Sequence, residues 1–490
     1  MPERPQKLVL AYVDSLRTDM LERAVAEGRA PTFGALIERG VLVPDCVSSF
    51  PSVTPVASAE IVTGATADRH WISGMNWYHR LERRYVEYGS SLDATRTVGV
   101  FRALYDLVYN MNLAHLNPDA ETLFERLDDA GLRTACTPFL IYRGRHRHQV
   151  TLEGLARRAV ESTRLHFRHH TWGPTELFYG DLYASSEVPC RSTSIPGNRD
   201  GYAACCAAAL AKTDGYDFLL LSLPDNDSYS HRHGPEATVE SIAKADECFA
   251  ELVEACGGLD DFLATHAVIL LADHAQTPVK RGLPLAELLA REWDVLRPSD
   301  DRPELAQLAV SPTGRAAHVY LLPGEGSRAE PEEVRQRLAE TEGVDLVCWR
   351  DGEAAAVEGR GGRLRFRPGD AVRDAREVGW ELEGDATALA AKVEDGRFLS
   401  DEYPDALTRV WSALASPGAG DFVVSLALGY ETVDWGGVSH AGGGSHGALH
   451  RDDSLGPLLF VGCGPSDAGE REQWALRDVV PVVLEHFGVE

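Results

Sequence analysis

The sequence KLVLAYV at residues 7–13 is a short, unbroken apolar run. Such a run is typical of a strand that is buried on both faces of a parallel sheet. Two later stretches repeat the pattern, YDFLLLSL at 216–223 and HAVILLA at 266–272. Helical stretches alternate with these strands. This alternation predicts an α/β fold with a mostly parallel central sheet and helices on both faces.

Polar side chains follow each of these three strands directly. They are Asp14 after the first strand, Asp225 and Asp227 after the second, and Asp273 and His274 after the third. In open α/β sheets, ligands bind outside the carboxyl ends of the strands. We therefore expect these side chains to lie together at one edge of the sheet.

The spacing within DNDSYSHRHGP adds a second kind of ligand. Asp227 and His231 are four residues apart, so both would face the same side of a helix. His233 is an alternative ligand in the same segment. Carboxylate oxygens combined with imidazole nitrogens suit zinc or manganese. Bound metal would also supply the positive charge that a chain of net charge −27 needs in order to bind an anionic phosphate.

A glycine-rich stretch near the C-terminus, HAGGGSHGALH, offers a further histidine ligand. Glycines allow the backbone to pass close to a bound group. His446 lies in the centre of this stretch and His440 at its start. The glycine-rich setting, and the need for one further protein ligand, favour His446.

Thr54 lies in the segment SSFPSVTP, where Ser, Thr and Pro predict the start of a helix. A threonine hydroxyl is a poor nucleophile at pH 7, but a bound metal can stabilise its alkoxide form. The N-terminus of a helix also provides N–H groups and a positive dipole for a phosphate oxygen. Thr54 is therefore a candidate nucleophile.

Composition excludes several classes of function. The acidic balance argues against binding to nucleic-acid polymers, which requires a basic face. No apolar stretch approaches the roughly 18 residues of a membrane span, and no signal peptide is recognisable, so we expect a cytoplasmic protein. The nine cysteines are odd in number and include no CxxC pair, which argues against a disulfide framework.

The character of the sequence changes after about residue 300. We predict a core formed by residues 1–299 and 391–490, with an inserted smaller α+β cap domain at 300–390. The apolar run DFVVSLALG, at 421–429, is interpreted as the return of the chain to the core.

The ordered set of motifs resembles the type I phosphodiesterase/nucleotide pyrophosphatase branch of the alkaline phosphatase superfamily. The motifs are the strand ending in Asp14, FPSVTP with Thr54, Asp-x3-His-x2-Gly-Pro from Asp227, Asp273-His274, and Gly-Ser-His-Gly around His446. The resemblance implies an alkaline phosphatase-like fold and two divalent metal ions, usually zinc. It also implies a ligand set: Asp227, His231 and His446 for one metal, and Asp14, Asp273, His274 and the Thr54 oxygen for the other.

The implied activity is hydrolysis of a small phosphoric ester, of phosphodiesterase or pyrophosphatase type, through a phosphothreonine. Ala57 stands where the nucleotide-hydrolysing members have a phosphate-binding asparagine. Four side chains are candidate substrate contacts instead: Trp77, Tyr78, Tyr142 and Arg143. A phosphomonoesterase, a phosphonate hydrolase or a non-catalytic binding protein remain alternatives, and the sequence does not determine the oligomeric state.

Overall fold

The computed structural model describes residues 6–149, 170–180, 182–300, 302–324, 328–436 and 439–489. Within these ranges no helix is long and apolar enough to cross a membrane. The sequence predicts loops and helices over 145–200, of which 150–169 and 181 lie outside the described residues. In the described part of this segment, His146–Gln149 and His170–Gly173 instead form an antiparallel strand pair.

The strands, numbered in chain order, are β1 Lys7–Val13, β2 Val41–Val47, β3 Asn76–His79, β4 Arg84–Glu87, β5 Thr134–Cys136, β6 His146–Gln149, β7 His170–Gly173, β8 Glu176–Leu177, β9 Phe218–Leu223, β10 His266–Leu271, β11 Thr277–Pro278, β12 Arg281–Leu283, β13 Val295–Leu296, β14 Leu308–Thr313, β15 Ala316–Leu321, β16 Val344–Asp351, β17 Ala354–Gly359, β18 Gly362–Arg373, β19 Gly379–Gly384, β20 Lys392–Glu394, β21 Arg397–Leu399, β22 Phe422–Leu426, β23 Tyr430–Thr432, β24 Gly444–Ser445, β25 Leu455–Val461 and β26 Trp474–Ala475.

The α-helices are α1 Thr18–Ala26, α2 Pro31–Arg39, α3 Thr54–Thr63, α4 Ala67–His70, α5 Leu92–Val98, α6 Val100–Tyr105, α7 Leu123–Asp129, α8 Arg199–Lys212, α9 Asp225–His233, α10 Val239–Ala255, α11 Leu259–Thr265, α12 Leu285–Leu289, α13 Pro331–Ala339, α14 Ala406–Ala415, α15 Arg451–Ser454 and α16 Val479–Phe487. A π-helical segment, Asp106–His115, follows α6 directly.

The first sheet has the strand order β26-β2-β25-β10-β1-β9-β5-β8. β1 runs parallel to both β9 and β10, and β5 runs parallel to β9 and β8. β25 is antiparallel to its neighbours β10 and β2. Tyr12 pairs with Leu271 on one side and Ser222 on the other, so the three central strands end at the same edge. The mostly parallel central sheet predicted from the sequence is confirmed.

Side chains of β1 alternate between two hydrophobic cores, as the two-residue period of a strand requires. Leu8 and Leu10 face a cluster that includes side chains of α3, α7 and α16. Val9 and Ala11 face a second cluster that includes side chains of α1, α2, α8 and α10. Each large apolar side chain buried in this way contributes about 1.5–3 kcal/mol. Helices therefore cover both faces of the sheet, which explains why its strands are apolar throughout.

The sequence after β1 predicts one helical stretch from about Thr18 to Arg39, whereas the structure has two helices there. α1 is followed by Gly28, whose φ of 67° lies in the left-handed region. α2 then begins at Pro31, a residue that is favoured in a first turn because it has no N–H. α3 begins at Thr54 and ends before Gly64, as predicted.

A second sheet follows the order β13-β14-β15-β22-β16-β17-β18-β21-β20, with β19 paired to β18. The sequence predicts that β22 returns the chain to the core, but this strand lies between β15 and β16 and is antiparallel to both. An apolar run predicts a buried strand without specifying its partners, so the sequence does not show which sheet this strand joins. The domain bounds of 300–390 stay a prediction.

Cysteines form one disulfide among the described residues, between Cys190 and Cys205. It joins the segment before α8 to the middle of that helix. The odd cysteine count and the lack of a CxxC pair predict no disulfide framework, and neither signal indicates this single bond. Seven other cysteines are free thiols.

Candidate metal centre and nucleophile

Three of the strand-end side chains, Asp14, Asp273 and His274, form the first ligand group. Asp14 directly follows β1, and the other two residues lie just beyond the end of β10. Nε2 of His274 lies 3.1 Å from Oδ2 of Asp273 and 3.9 Å from Oδ1 of Asp14. All three side chains are buried. Their ligand atoms are close enough together to hold one metal ion.

Asp227, His231 and His446 form the second ligand group. Asp227 and His231 lie on α9, which confirms that this segment is helical and places both on one face. Oδ1 of Asp227 lies 3.3 Å from Nε2 of His231 and 3.6 Å from Nε2 of His446. His446 comes from the glycine-rich loop that follows β24. These three ligand atoms also fit one metal ion.

The two ligand groups lie side by side in a single site. The rings of His274 and His446 are stacked, with centroids 3.7 Å apart and planes inclined by 16°. His446 belongs to the second group and His274 to the first. Two adjacent groups of this kind are what a two-metal hydrolytic site requires.

The three histidines are oriented through their Nδ1 atoms. Nδ1 of His231 lies 2.8 Å from the carbonyl oxygen of Gly444, and Nδ1 of His446 lies 2.8 Å from that of Ser52. Nδ1 of His274 lies 3.3 Å from the carbonyl oxygen of Ala275. A backbone carbonyl accepts only from a protonated nitrogen, so each Nε2 is left free to bind a metal.

The carboxylates of the first ligand group lack a charged partner, whereas in the second group Asp227 and His231 compensate each other: despite burial, the pKa of Asp227 lies well below its usual value and that of His231 is raised. Burial, together with the neighbouring carboxylates Asp273 and Asp227, raises the pKa of Asp14 well above its usual value. Burial also raises the pKa of Asp273 to about 6. In contrast, burial lowers the pKa of His274 to about 4 and that of His446 well below its usual range. Neutral imidazoles beside crowded carboxylates form a donor set that suits a divalent cation.

Thr54 is the first residue of α3, and its hydroxyl lies 3.3 Å from Nε2 of His274. The residue is half-buried, in contrast to its buried neighbours Val53 and Pro55. The same segment supplies the Ser52 carbonyl that orients His446. The start of α3 therefore both presents the hydroxyl and positions a ligand of the second group.

The alternative ligands considered in the sequence have other partners. Oδ1 of Asp225 accepts hydrogen bonds from Nε of Arg199 and from the backbone N–H of Gly197. His233 lies against the ring of Tyr229, with centroids 4.4 Å apart. Neither residue belongs to a ligand group.

His440 lies beside the second ligand group. Its ring is 4.3 Å from that of His231, centroid to centroid, and its Nδ1 lies 2.8 Å from the buried carboxylate of Glu431. His440 therefore contacts a ligand while its own ring is held by an acid.

The four candidate substrate contacts interact with other parts of the protein. Nε1 of Trp77 donates to the hydroxyl of Tyr88, and the ring of Tyr78 packs between those of Tyr85 and Tyr320.

Tyr142 is fully buried, and its hydroxyl donates to the Val108 carbonyl oxygen at 2.6 Å. Arg143 pairs with Glu125 at 3.0 Å and donates to three backbone carbonyls. The contacts found for these two side chains, and for Trp77 and Tyr78, do not include the ligand groups.

Three residues that contact the ligands are not identified by the sequence motifs. Ser15 donates its hydroxyl to Oδ1 of Asp227 at 2.7 Å, and Gln276 donates to the same oxygen at 2.6 Å. The hydroxyl of Tyr12 donates to Oδ2 of Asp273 at 3.0 Å. Each lies within a few residues of a strand-end acid. Their closeness in the sequence to these acids is thus the only signal from which they could have been predicted.

Comparisons with known proteins agree with this arrangement. The type I phosphodiesterase/nucleotide pyrophosphatase family matches residues 8–448. No protein of curated function matches the chain.

Solved structures share the fold at low sequence identity. Mouse ectonucleotide pyrophosphatase/phosphodiesterase 5, solved as an inactive threonine-to-alanine variant with AMP, has a TM-score of 0.58 at 13% identity, over 99% of this chain and 96% of that one. The human counterpart gives 0.57 at 14% identity, with the same coverage. Phosphonoacetate hydrolase from Sinorhizobium meliloti, solved with phosphonoformate, gives 0.56 at 16% identity, over 99% and 96% of the two chains.

The family match spans most of the chain, and the structural matches share its fold over nearly the whole length of both chains. The protein therefore belongs to the type I phosphodiesterase/nucleotide pyrophosphatase family and is an enzyme of the phosphoric ester hydrolase class.

Proposed function

We propose that this enzyme hydrolyses small phosphoric diesters or pyrophosphates, with Thr54 as nucleophile and two divalent metal ions held by the two ligand groups. One observation carries the proposal: the Thr54 hydroxyl lies 3.3 Å from Nε2 of His274, where the first ligand group adjoins the second. Thr54 and both ligand groups thus lie together in one site beyond the ends of the central strands.

The donor atoms fit the proposed metals. Asp14, Asp273 and His274 would hold one ion, together with the Thr54 oxygen, and Asp227, His231 and His446 would hold the other. Mixed carboxylate and imidazole donors are typical of zinc, and manganese also accepts them. Bound metal would supply stabilisation of negative charge on the attacking and departing oxygens.

The residues of the chain determine the course of the reaction. Oγ1 of Thr54 forms a bond to phosphorus while the bond from phosphorus to the leaving oxygen breaks. Water then cleaves the resulting phosphothreonine and releases phosphate or a phosphoric monoester, which restores the hydroxyl. The N-terminus of α3 directs its N–H groups and positive dipole toward the phosphoryl oxygens.

Ala57 supports a second candidate function. It is fully buried on α3, three residues after Thr54, where the family pattern has an asparagine that binds a phosphate oxygen. A methyl group donates no hydrogen bond, so one phosphoryl oxygen has fewer partners here. Ala57 therefore does not support the nucleotide substrates of the family pattern, and a monoester or a phosphonate is the alternative substrate. A phosphonoacetate hydrolase is among the proteins with this fold.

The test is to measure metal content and activity on the purified full chain. We expect two zinc equivalents and turnover of bis-p-nitrophenyl phosphate in preference to p-nitrophenyl phosphate and phosphonoacetate. Thr54→Ala should lower diester turnover by about 1,000-fold or more. Thr54→Ser should retain part of it because the hydroxyl is kept.

Thr63→Ala is the matched control. Thr63 is the last residue of α3, and its hydroxyl donates to the Ala59 carbonyl oxygen within the same helix. Its removal should leave turnover unchanged. Preferred turnover of the monoester or the phosphonate would establish the second candidate. Full activity in Thr54→Ala, in protein that contains no metal, would overturn both.

Two further expectations stay proposals. We expect a small phosphorylated substrate and no nucleic-acid polymer as partner, given the net charge of −27. The predicted cytoplasmic location conflicts with the Cys190–Cys205 disulfide, since disulfides are rare in cytosolic proteins.

A further inference from the structure

Ser15 occupies an unusual position between the two ligand groups. It follows Asp14 in the turn that ends β1, and it is 3% exposed. Its φ of 58° lies in the left-handed region, which costs a residue with a side chain roughly 1–2 kcal/mol. Such a cost persists when the surrounding structure gains something from the residue.

The backbone of Ser15 contacts the first ligand group. Its N–H donates to Oδ1 of Asp273 at 3.1 Å. The same oxygen accepts from the N–H of His274 at 2.9 Å, while Oδ2 accepts from Tyr12. Both oxygens of Asp273 are thereby held by donors, and the carboxylate is fixed in one orientation.

The hydroxyl of Ser15 contacts both groups. It donates to Oδ1 of Asp227, in the second group, at 2.7 Å. Its oxygen lies 3.2 Å from Nδ1 of His274, in the first group, and accepts from Nε2 of Gln276 at 3.2 Å. Oδ1 of Asp14 is more distant, at 3.5 Å.

The donors and acceptors around the Ser15 hydroxyl match its one proton and two lone pairs. A serine hydroxyl has one proton to donate and two lone pairs that accept. Because the proton goes to Asp227, the oxygen accepts the Nδ1–H of His274, which leaves Nε2 of that ring unprotonated and facing Thr54. One hydroxyl therefore holds a carboxylate in one group and, together with the Ala275 carbonyl oxygen, supports the Nδ1–H tautomer of a histidine in the other.

We propose that Ser15 is a positioning residue that couples the two ligand groups, so that removing its hydroxyl weakens metal binding at both. The inference rests on the proposed two-metal function and adds to it a residue that contacts ligands of both ions. Mutation of a residue that orients metal ligands typically lowers metal affinity by about 10–100-fold.

The test is zinc binding to the metal-free full chain, measured by competition with a chromophoric chelator. Ser15→Ala removes the hydroxyl and keeps the strained backbone, whereas Ser15→Gly removes the hydroxyl and relieves the strain. We expect both variants to bind both zinc equivalents about 10–100-fold more weakly than the wild type. Thermal unfolding of the metal-free proteins should show Ser15→Gly to be the more stable of the two.

Thr18→Ala is the matched control, because its hydroxyl lies three residues further along and donates to the Pro44 carbonyl oxygen instead of a ligand. It should bind zinc as the wild type does. Unchanged zinc affinity in Ser15→Ala, weakening of one equivalent alone, or normal affinity in Ser15→Gly would overturn the proposed coupling. A wild type that binds no zinc would instead overturn the proposed function, and the coupling with it.

Discussion

The two ligand groups are built by different parts of the fold. Asp14, Asp273 and His274 follow adjacent parallel strands, and their side chains are at most 7% exposed. Asp227 and His231, on a helix, are 18% and 20% exposed. The first group is fixed by sheet register and the second by a helix and a glycine-rich loop. We therefore expect the first group to hold its metal more tightly and the second to exchange metal with solvent.

Single-ligand variants would separate the two groups most strongly. Asp273→Ala and His231→Ala should each lose one metal equivalent and lower turnover by about 1,000-fold, or about 4 kcal/mol, because stabilisation of transition-state charge is lost. Metal analysis and steady-state kinetics provide the measurements.

A chelator tests which group holds its metal less tightly. In the wild type, a chelator should first remove the metal ion of the second ligand group, which is the ion that His231→Ala lacks. If the chelator first removes the ion of the first ligand group, which Asp273→Ala lacks, the first group does not hold its metal more tightly.

The second ligand group also depends on the second sheet. Arg315 lies two residues beyond the end of β14. Its backbone N–H donates to the His446 carbonyl oxygen at 2.6 Å. Its guanidinium pairs with Asp453, and neither side chain is exposed. Asp453 in turn accepts from the N–H of Ala448 at 2.8 Å. A buried ion pair thus holds both sides of the His446 loop.

Breaking this ion pair is the second-largest effect we expect. Arg315→Met should lower the free energy of unfolding by about 3–5 kcal/mol, because Asp453 is left buried and uncompensated. The double variant Arg315→Met/Asp453→Leu should recover most of that loss, since no charge remains. Chemical denaturation of the metal-free proteins is the measurement. A double variant as unstable as the single one would show that packing, and not the unpaired charge, sets the cost.

The first ligand group can be predicted from the sequence more fully than its surroundings. Apolar runs that end in acids identify strands and the edge at which they end, so the residue pattern alone locates Asp14 and Asp273. Hydrogen bonds across the fold leave no such local pattern. Ser15 and Asp227 are 212 positions apart, and Arg315 and Asp453 are 138 apart.

The aromatic candidates show a second limit of the sequence. Trp77 and Tyr142 are candidates because Ala57 leaves a phosphate oxygen without the amide donor of the family pattern, and another side chain could take its place. An aromatic residue in an irregular segment has the same signature whether it faces a pocket or the interior. In the structure both are buried, and their polar atoms have partners within the protein. Burial of a loop depends on tertiary packing, which local sequence does not encode.

A buried acid outside the metal site would show what the burial of a carboxyl group costs where no metal ligands are nearby. Glu60 lies on α3, is 2% exposed, and burial raises its pKa from 4.5 to about 7. Folded protein therefore binds this proton more tightly than unfolded protein does. The contribution of Glu60 to the free energy of unfolding should therefore be largest below pH 4.5 and should fall by about 3 kcal/mol as the pH rises to 7.

Glu60→Gln should remove that fall, whether or not metal is bound. Denaturation curves for the wild type and the variant at several pH values provide the measurement, first metal-free and then loaded with zinc. A decline that persists unchanged in the variant would assign the pH dependence to other groups, including the ligands themselves.

Tyr142→Phe carries the smallest expected effect, and it decides between the two interpretations of this residue. The structure gives its hydroxyl a structural partner, the Val108 carbonyl oxygen. Loss of that hydrogen bond should lower the free energy of unfolding by about 1 kcal/mol. If the residue has no contact with substrate, kcat and KM at a temperature where the variant is folded should match those of the wild type. A raised KM with unchanged stability would restore Tyr142 as a substrate contact, because a hydroxyl that binds substrate contributes to affinity and not to folding.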